Sequence, residues 1–208
     1  MHQYNFIDFL VEQGVLKFGE FTLNSGRVSP YFFNLGAVSD GLGFTELGRA
    51  YANAILAAEI EFDVLFGPAY KGIPIAVATA TALAEQGVHV GVAYNRKEAK
   101  DHGEGGQLVG AEVAGRVLLV DDVLTSGKAI RQSVDLIAQT DARIVGAVIA
   151  LDRAELFAGE VTAVEALASD LGVPIVSIAS VADIIEHVAD ASLRQRMLEY
   201  QQRYCRVA

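Results

Sequence analysis

The chain has 208 residues, a single cysteine (Cys205) and a net charge of -10 from 26 acidic and 16 basic residues. That length suits one ordinary domain able to bury its own core, and one cysteine excludes an internal disulfide framework and points to a reducing cytoplasm. The acidic balance argues against bulk binding to nucleic acid or to an anionic membrane, so an anionic ligand needs a local basic site.

The amino-terminal MHQYNFIDFL has neither the basic start nor the apolar run of a secretory signal. The spacing predicts a helix over residues 4–13, then short antiparallel strands in EFTLNSGRVSPYFFNLG (20–36), which turns at Ser25-Gly26 and Ser29-Pro30. A helix from about Phe44 to Ala58 leads into FDVLF (62–66), the first of five branched apolar runs read as buried strands. The others are VHVGVAY (88–94), VLLV (117–120), IVGAVIAL (144–151) and IVSIAS (175–180). Between them IPIAVATATALAEQG and SGKAIRQSVDLIAQ read as helices, the first with Pro74 in its opening turn and Gly87 at its end. The longest uncharged apolar stretch, Gly72 to Ala84, is 13 residues and too short to span a bilayer. No repeat or linker interrupts the chain, so residues 1–208 are read as one α/β domain: a mostly parallel sheet of about five strands flanked by helices, with residues 1–40 as a cap. Ligands of such sheets bind outside the carboxyl ends of the strands, which makes the loops there the place to look for chemistry.

After VLLV the chain continues Asp121, Asp122, Val123, Leu124, Thr125, Ser126, Gly127, Lys128, Ala129 and then a helix. Small and hydroxyl residues at a helix start let backbone N–H groups converge on a phosphate, with the helix dipole adding to the attraction. The two acids cannot hold the phosphate but can accept hydrogen bonds from neighbouring sugar hydroxyls, a layout suited to a ribose 5-phosphate. An ATP-binding P-loop fails on spacing, because Asp122 stands where a glycine is required and Ala129 replaces the Ser or Thr that would reach Mg²⁺. A plain strand-to-helix turn with an Asp cap accounts for one acid but not for the pair.

VLLVDDVLTSGKA resembles the phosphoribosyl pyrophosphate (PRPP) signature of the type I phosphoribosyltransferases. FGEFTLNSGRVSPYFFN (18–34), FGPAYKGIPIA (66–76), YNRKEAKDHGEGG (94–106) and ALDR (150–153) narrow the resemblance to the orotate phosphoribosyltransferases and are spread over most of the chain. The resemblance implies the type I phosphoribosyltransferase fold with an amino-terminal hood, and transfer of a phosphoribosyl group from PRPP to orotate. It further implies Mg²⁺ bound mainly through PRPP, with no dedicated protein metal ligands, and a homodimer with shared sites.

Site residues follow from the same resemblance. Asp121 and Asp122 would contact the ribose hydroxyls, and the segment from Val123 to Ala129 would wrap the 5-phosphate. FGPAYKG alone reads as a Gly-Pro turn with a solvated lysine; by resemblance it is the pyrophosphate loop, with Tyr70 and Lys71 beside PRPP and a strained peptide bond that the family often carries. NRKEAKDHGEGGQLVG alone reads as a solvated charged loop, longer than its connection needs. In the family it closes over pyrophosphate and reaches the neighbouring subunit's site, with Arg96, Lys97, Lys100 and His102 matching the residues for that task. Phe32 and Phe33, ordinarily counted as core, would lie over the orotate ring. Arg153 would hold the orotate carboxylate through two parallel hydrogen bonds, which lysine cannot reproduce, and Thr125 would touch both substrates. Two classes of alternative stay open: a purine or uracil salvage transferase, which would share only the VLLVDDVLTSGKA segment, and a PRPP-binding regulator without catalysis.

Asn24 departs from the pattern, because the family usually places there a lysine that contacts both orotate and PRPP. Asparagine can hydrogen-bond but cannot offset anionic charge, so turnover is expected to be slower, or binding weaker, than in lysine-bearing relatives. Lys128 is a milder variation where bacterial relatives carry threonine. Asn24→Lys is expected to raise kcat/KM for PRPP; steady-state kinetics unchanged by the substitution would dispose of this reading.

Overall fold

In a computed structural model, residues 3–23, 25–100, 106–124, 128–157 and 161–206 are described, with the side chains of 3–5, 99, 100, 128 and 157 excepted. Helix α1 (Gln3–Glu12) opens the chain, followed by strands β1 (Leu16–Thr22) and β2 (Val28–Phe33), a 3-10 turn at Leu35–Ala37 and helix α2 (Gly41–Ala57). Then come β3 (Val64–Gly67), α3 (Gly72–Glu85), β4 (Gly91–Lys100), β5 (Gly106–Gly110) and β6 (Arg116–Val123). The remainder is α4 (Lys128–Ile137), β7 (Arg143–Asp152), the short pair β8 (Leu156–Phe157) and β9 (Val161–Thr162), α5 (Ala163–Leu171), β10 (Ile175–Ser180), α6 (Val181–His187) and α7 (Ala191–Tyr204).

The five apolar runs do form strands, and they run parallel; helices α3, α4 and α5 supply the crossovers from β3 to β4, β6 to β7 and β7 to β10, and β5 lies between β4 and β6 in the chain. Among the described residues the sheet has six strands, in the order β10-β7-β6-β3-β4-β5, in keeping with the about five read from apolar runs and with one strand more. The sixth, β5, pairs antiparallel with the polar extension of β4, Tyr94 opposite Val109 and Asn95 opposite Leu108. Part of the stretch read as a charged loop is therefore an edge hairpin. Edge strands tolerate charge because one side faces solvent, so apolar periodicity does not reveal them.

Alternation along the central strands divides the core in two. Leu65, Leu118, Val120, Val148 and Ala150 face a layer holding Leu47, Tyr51 and Ile55 of α2, Ile75 and Leu83 of α3, and Ile184 and Met197 of the carboxyl-terminal helices. Val64, Phe66, Val117, Leu119, Ala147 and Ile149 face the opposite layer, with Ile130 and Ile137 of α4 and Leu167 of α5. Helix α2 starts three residues earlier than its apolar spacing suggests, because the Asp40 side chain accepts a hydrogen bond from Gly43 N–H at 2.7 Å and caps it. Helices α2 and α3 touch at Gly48, where a Cβ would come within 2.3 Å of the Ala78 carbonyl oxygen. Among the described residues no helix is long and apolar enough to cross a membrane. Strand β2 of the hairpin packs against α7, and α1 packs against both β1 and β10; Tyr31 and Arg27 of the hairpin meet Arg153 and Leu156 just beyond the end of β7.

Candidate active site

Strand β6 carries its burial through Asp121 and Asp122, each only 8% exposed. Such acids need partners. Asp121 accepts a hydrogen bond from Asp122 N–H (2.9 Å), and Asp122 Oδ1 accepts one from Val123 N–H (2.8 Å). Asp122 Oδ2 lies 2.6 Å from Lys71 Nζ, which comes from the loop after β3. From helix α2 the buried Tyr51 hydroxyl donates to the Asp121 carbonyl oxygen at 2.7 Å, fixing the strand end from behind. Burial pushes the Asp121 carboxyl up to about 7, with the Asp122 charge adding to the rise and Lys71 opposing it. Leu124, in the same segment, points into the core and has only backbone to offer a ligand, while Ala129 is exposed at the start of α4.

The loop from Gly67 to Gly72 is tight. A Cβ on Gly67 would meet the Gly72 carbonyl oxygen at 2.1 Å, and one on Gly72 would meet Pro68 Cδ at 2.7 Å, so both positions require glycine. The Ala69–Tyr70 peptide bond is cis. Ala69 N–H donates to Asn95 Oδ1 at 3.0 Å, which ties the loop to β4. The exposed Tyr70 ring lies beneath Lys97 Nζ at 4.6 Å, a cation–π contact with the same strand. Arg96 Nη1 reaches the Gly106 carbonyl oxygen across the hairpin at 3.4 Å. The 3-10 turn at Leu35–Ala37 also lies beside this lysine: a Cβ on Gly36 would stand 3.7 Å from Lys71 Cε.

Arg153 follows β7, one strand away from β6. Its Nε and Nη2 donate to Glu155 Oε1 at 2.9 and 2.5 Å, and its guanidinium lies 4.6 Å over the Tyr31 ring. The side chain is 11% exposed. Glu155 Oε1 also accepts from the Tyr200 hydroxyl at 2.8 Å, and Oε2 lies 3.8 Å from Arg27 Nη1. Glu155 forms an antiparallel bridge with Cys205, and Arg206 N–H donates to the Ala154 carbonyl oxygen at 2.8 Å, so the segment after α7 is stitched to the segment after β7. Phe32 and Phe33, expected to act as a pair, part company on β2: Phe33 enters the core at 8% exposure, whereas Phe32 is 40% exposed and packs on Phe21. Strand alternation explains the split.

The structure thus brings Lys71 into contact with Asp122, beside Asp121, sets Tyr70 against Lys97, and places Arg153 at a neighbouring strand end. Asn24, His102, Thr125, Ser126 and Gly127 lie outside the described residues, as do the side chains of Lys100 and Lys128. Sequence reasoning missed Tyr51, Asn95, Glu155 and Tyr200; for Asn95 a signal existed, since it directly precedes the basic stretch beginning at Arg96. Among the described residues no group of three or more His, Cys, Asp or Glu gathers as a metal site.

Residues 37–157, which carry the acid pair and the glycine-pinned loop with its lysine, match the family model of the phosphoribosyl transferase domain, and this match defines the class of the chain. Orotate phosphoribosyltransferase of Pseudomonas aeruginosa is 54% identical over 198 residues, covering 94% of this chain and 93% of that protein. The Alteromonas mediterranea enzyme of the same name is 54% identical over 189 residues, covering 90% and 89%. The crystal structure of orotate phosphoribosyltransferase from Francisella tularensis superposes with a TM-score of 0.89 at 36% identity, covering 97% of this chain and 100% of that one. The chain belongs to the orotate phosphoribosyltransferase family.

The raised Asp121 pKa has a consequence for stability. Between about 3.8, its ordinary value, and about 7, the folded state holds a proton that the unfolded state has released, so folding stability falls as pH rises through that window. Asp121→Asn removes the dependence. The unliganded variant is expected to exceed the parent in stability by on the order of 1–3 kcal/mol at pH 8, the gap closing toward pH 4. Urea unfolding at both pH values measures it, and an equal gap at the two would contradict the assignment.

Proposed function

We propose that the chain catalyses Mg²⁺-dependent transfer of the phosphoribosyl group from PRPP to orotate, giving orotidine 5'-monophosphate and pyrophosphate. It would act as one cytoplasmic domain, with residues 1–40 covering the orotate site. The observation that carries the reading is the Lys71–Asp122 contact of 2.6 Å, which joins the pyrophosphate loop to the ribose-binding strand end.

The reaction forms a bond from a ring nitrogen of orotate to the anomeric carbon, breaks the bond from that carbon to pyrophosphate and releases the ring nitrogen's proton to the departing pyrophosphate or to water, so no protein nucleophile is needed. Asp121 and Asp122 accept hydrogen bonds from the ribose hydroxyls and fix the sugar. The residues from Thr125 to Gly127 and the amino end of α4 receive the 5-phosphate. Lys71, Arg96 and Lys97, with Lys100 and His102, balance the charge that gathers on the leaving pyrophosphate. Arg153 takes the orotate carboxylate, Phe32 and the backbone of Phe33 border the ring, and Thr125 lies between the two substrates. Asn24 would sit with them in place of lysine.

Mg²⁺ would fit this site as an ion carried by the substrate, since it prefers water and phosphate oxygens to an all-protein cage, and Asp121 and Asp122 are the acids that would help to hold it, through water. Bound there, it supplies positive charge against the pyrophosphate.

Loss of orotate in the presence of PRPP and Mg²⁺, run beside uracil and hypoxanthine, tests the assignment. Consumption of orotate alone is expected, and turnover of another base in its place would reassign the chain to salvage. PRPP binding without orotate-dependent pyrophosphate release would make it a regulator.

The charged hairpin would complete the site of a second copy in a homodimer. Mixing inactive Arg153→Ala and Lys100→Ala chains should then restore about a quarter of parental activity, because half of the randomly formed dimers hold one intact site of two. No recovery would mean self-contained sites.

A further inference from the structure

We infer that Glu155 is the positioning residue that sets the Arg153 guanidinium for the substrate carboxylate, and that helix α7 shares in this task through Tyr200. The inference rests on the proposed transfer to orotate and extends it to residues with no place in the chemistry.

A planar guanidinium has two edges able to grip a carboxylate in parallel, one formed by Nε and Nη2 and the other by Nη1 and Nη2. Glu155 Oε1 occupies the first, at 2.9 and 2.5 Å. Tyr31 covers one face at 4.6 Å. With one edge and one face taken, the guanidinium plane is held in place and its second edge points in a single direction. Glu155 thereby leaves the Nη1–Nη2 edge as the one a planar carboxylate can take.

Glu155 is itself anchored. Its Oε1 accepts from the Tyr200 hydroxyl at 2.8 Å, and Oε2 faces Arg27 of the cap at 3.8 Å. Burial and the neighbouring Glu155 charge raise the Tyr200 pKa well above its ordinary value, so the hydroxyl keeps its proton and remains a donor. Arg27 Nη2 also donates to the Leu156 carbonyl oxygen at 3.2 Å, fixing the same short segment to the cap. Glu155 is therefore held by the cap, the strand end and α7 at once and is not free to swing aside. A carboxylate that merely competed with the substrate for Arg153 would occupy the open edge and would not need three anchors.

The test is steady-state kinetics of the full chain for both substrates, with melting temperatures alongside. Tyr200→Phe removes one hydroxyl and little packing, and Glu155→Ala removes the anchor. Each is expected to raise KM for orotate, by about tenfold for Glu155→Ala and less for Tyr200→Phe, while KM for PRPP stays within about twofold. Glu155→Gln keeps an acceptor for Nε and Nη2 and should lie nearer to the parent than alanine does. An orotate KM that is unchanged or lowered in Glu155→Ala overturns the inference. So does a parallel rise of both KM values with a fall in melting temperature, the mark of a purely structural role. A parent chain that turns over PRPP but not orotate overturns the transferase reading and the inference together, whereas a normal parent with unaltered variants sinks the inference alone.

Discussion

Lys71, on the loop after β3, and Asp122, at the end of β6, are 51 residues apart in sequence and meet at 2.6 Å, and the rest of the site is built around that contact. Two adjacent carboxylates at the end of an apolar strand repel one another and have lost most of their water, which destabilises an unliganded fold. The half-exposed lysine offsets part of that cost without removing the acids from a ligand's reach. It can do so only because Gly67 and Gly72 let the loop fold back within van der Waals limits of itself, and because Asn95 holds the Ala69 amide. Loss of either support would move Lys71 away from the acid it neutralises. Packing of glycine against glycine and the charge balance at the strand end are thus one arrangement.

The neighbouring strand end works by a different rule. Where β6 ends in buried acids beside a lysine, β7 is followed by an arginine whose charge is already partnered by Glu155 and whose face rests on an aromatic ring. The first arrangement suits a ligand rich in hydroxyls and diffuse anionic charge. The second suits one planar acid approaching from a fixed direction. The parallel sheet sets the two side by side, since β6 and β7 are neighbours running in the same sense.

How much of this was legible in the sequence depended on the distance over which each signal acts. Strand β6 and its acids could be read directly, because four branched apolar residues followed by Asp-Asp and a small-residue turn combine burial, termination and chemistry in adjacent positions. Five of the six sheet strands were visible for the same reason. The sixth was not: β5 and the extension of β4 are polar and rich in glycine, and their strand character comes from pairing with each other. The separation of Phe32 from Phe33 was available from strand alternation but was obscured by reading them as a pair. Tyr51, Asn95 and Tyr200 lay beyond reach, since their partners are 70, 26 and 45 residues away and only the fold brings them together. Glu155 stands two residues from Arg153, yet a local acid gives no sign that a distant helix and the cap also hold it.

One consequence of the Asp121 environment concerns how ligands are measured. A carboxyl with a pKa of about 7 is partly protonated in ordinary neutral buffers. Any molecule that seats against it changes that fraction, so association exchanges part of a proton with the medium. The heat observed in a calorimeter then includes the ionisation enthalpy of the buffer. Titrations in phosphate and in Tris would return different apparent enthalpies for the same event, and the slope between them would count the protons moved.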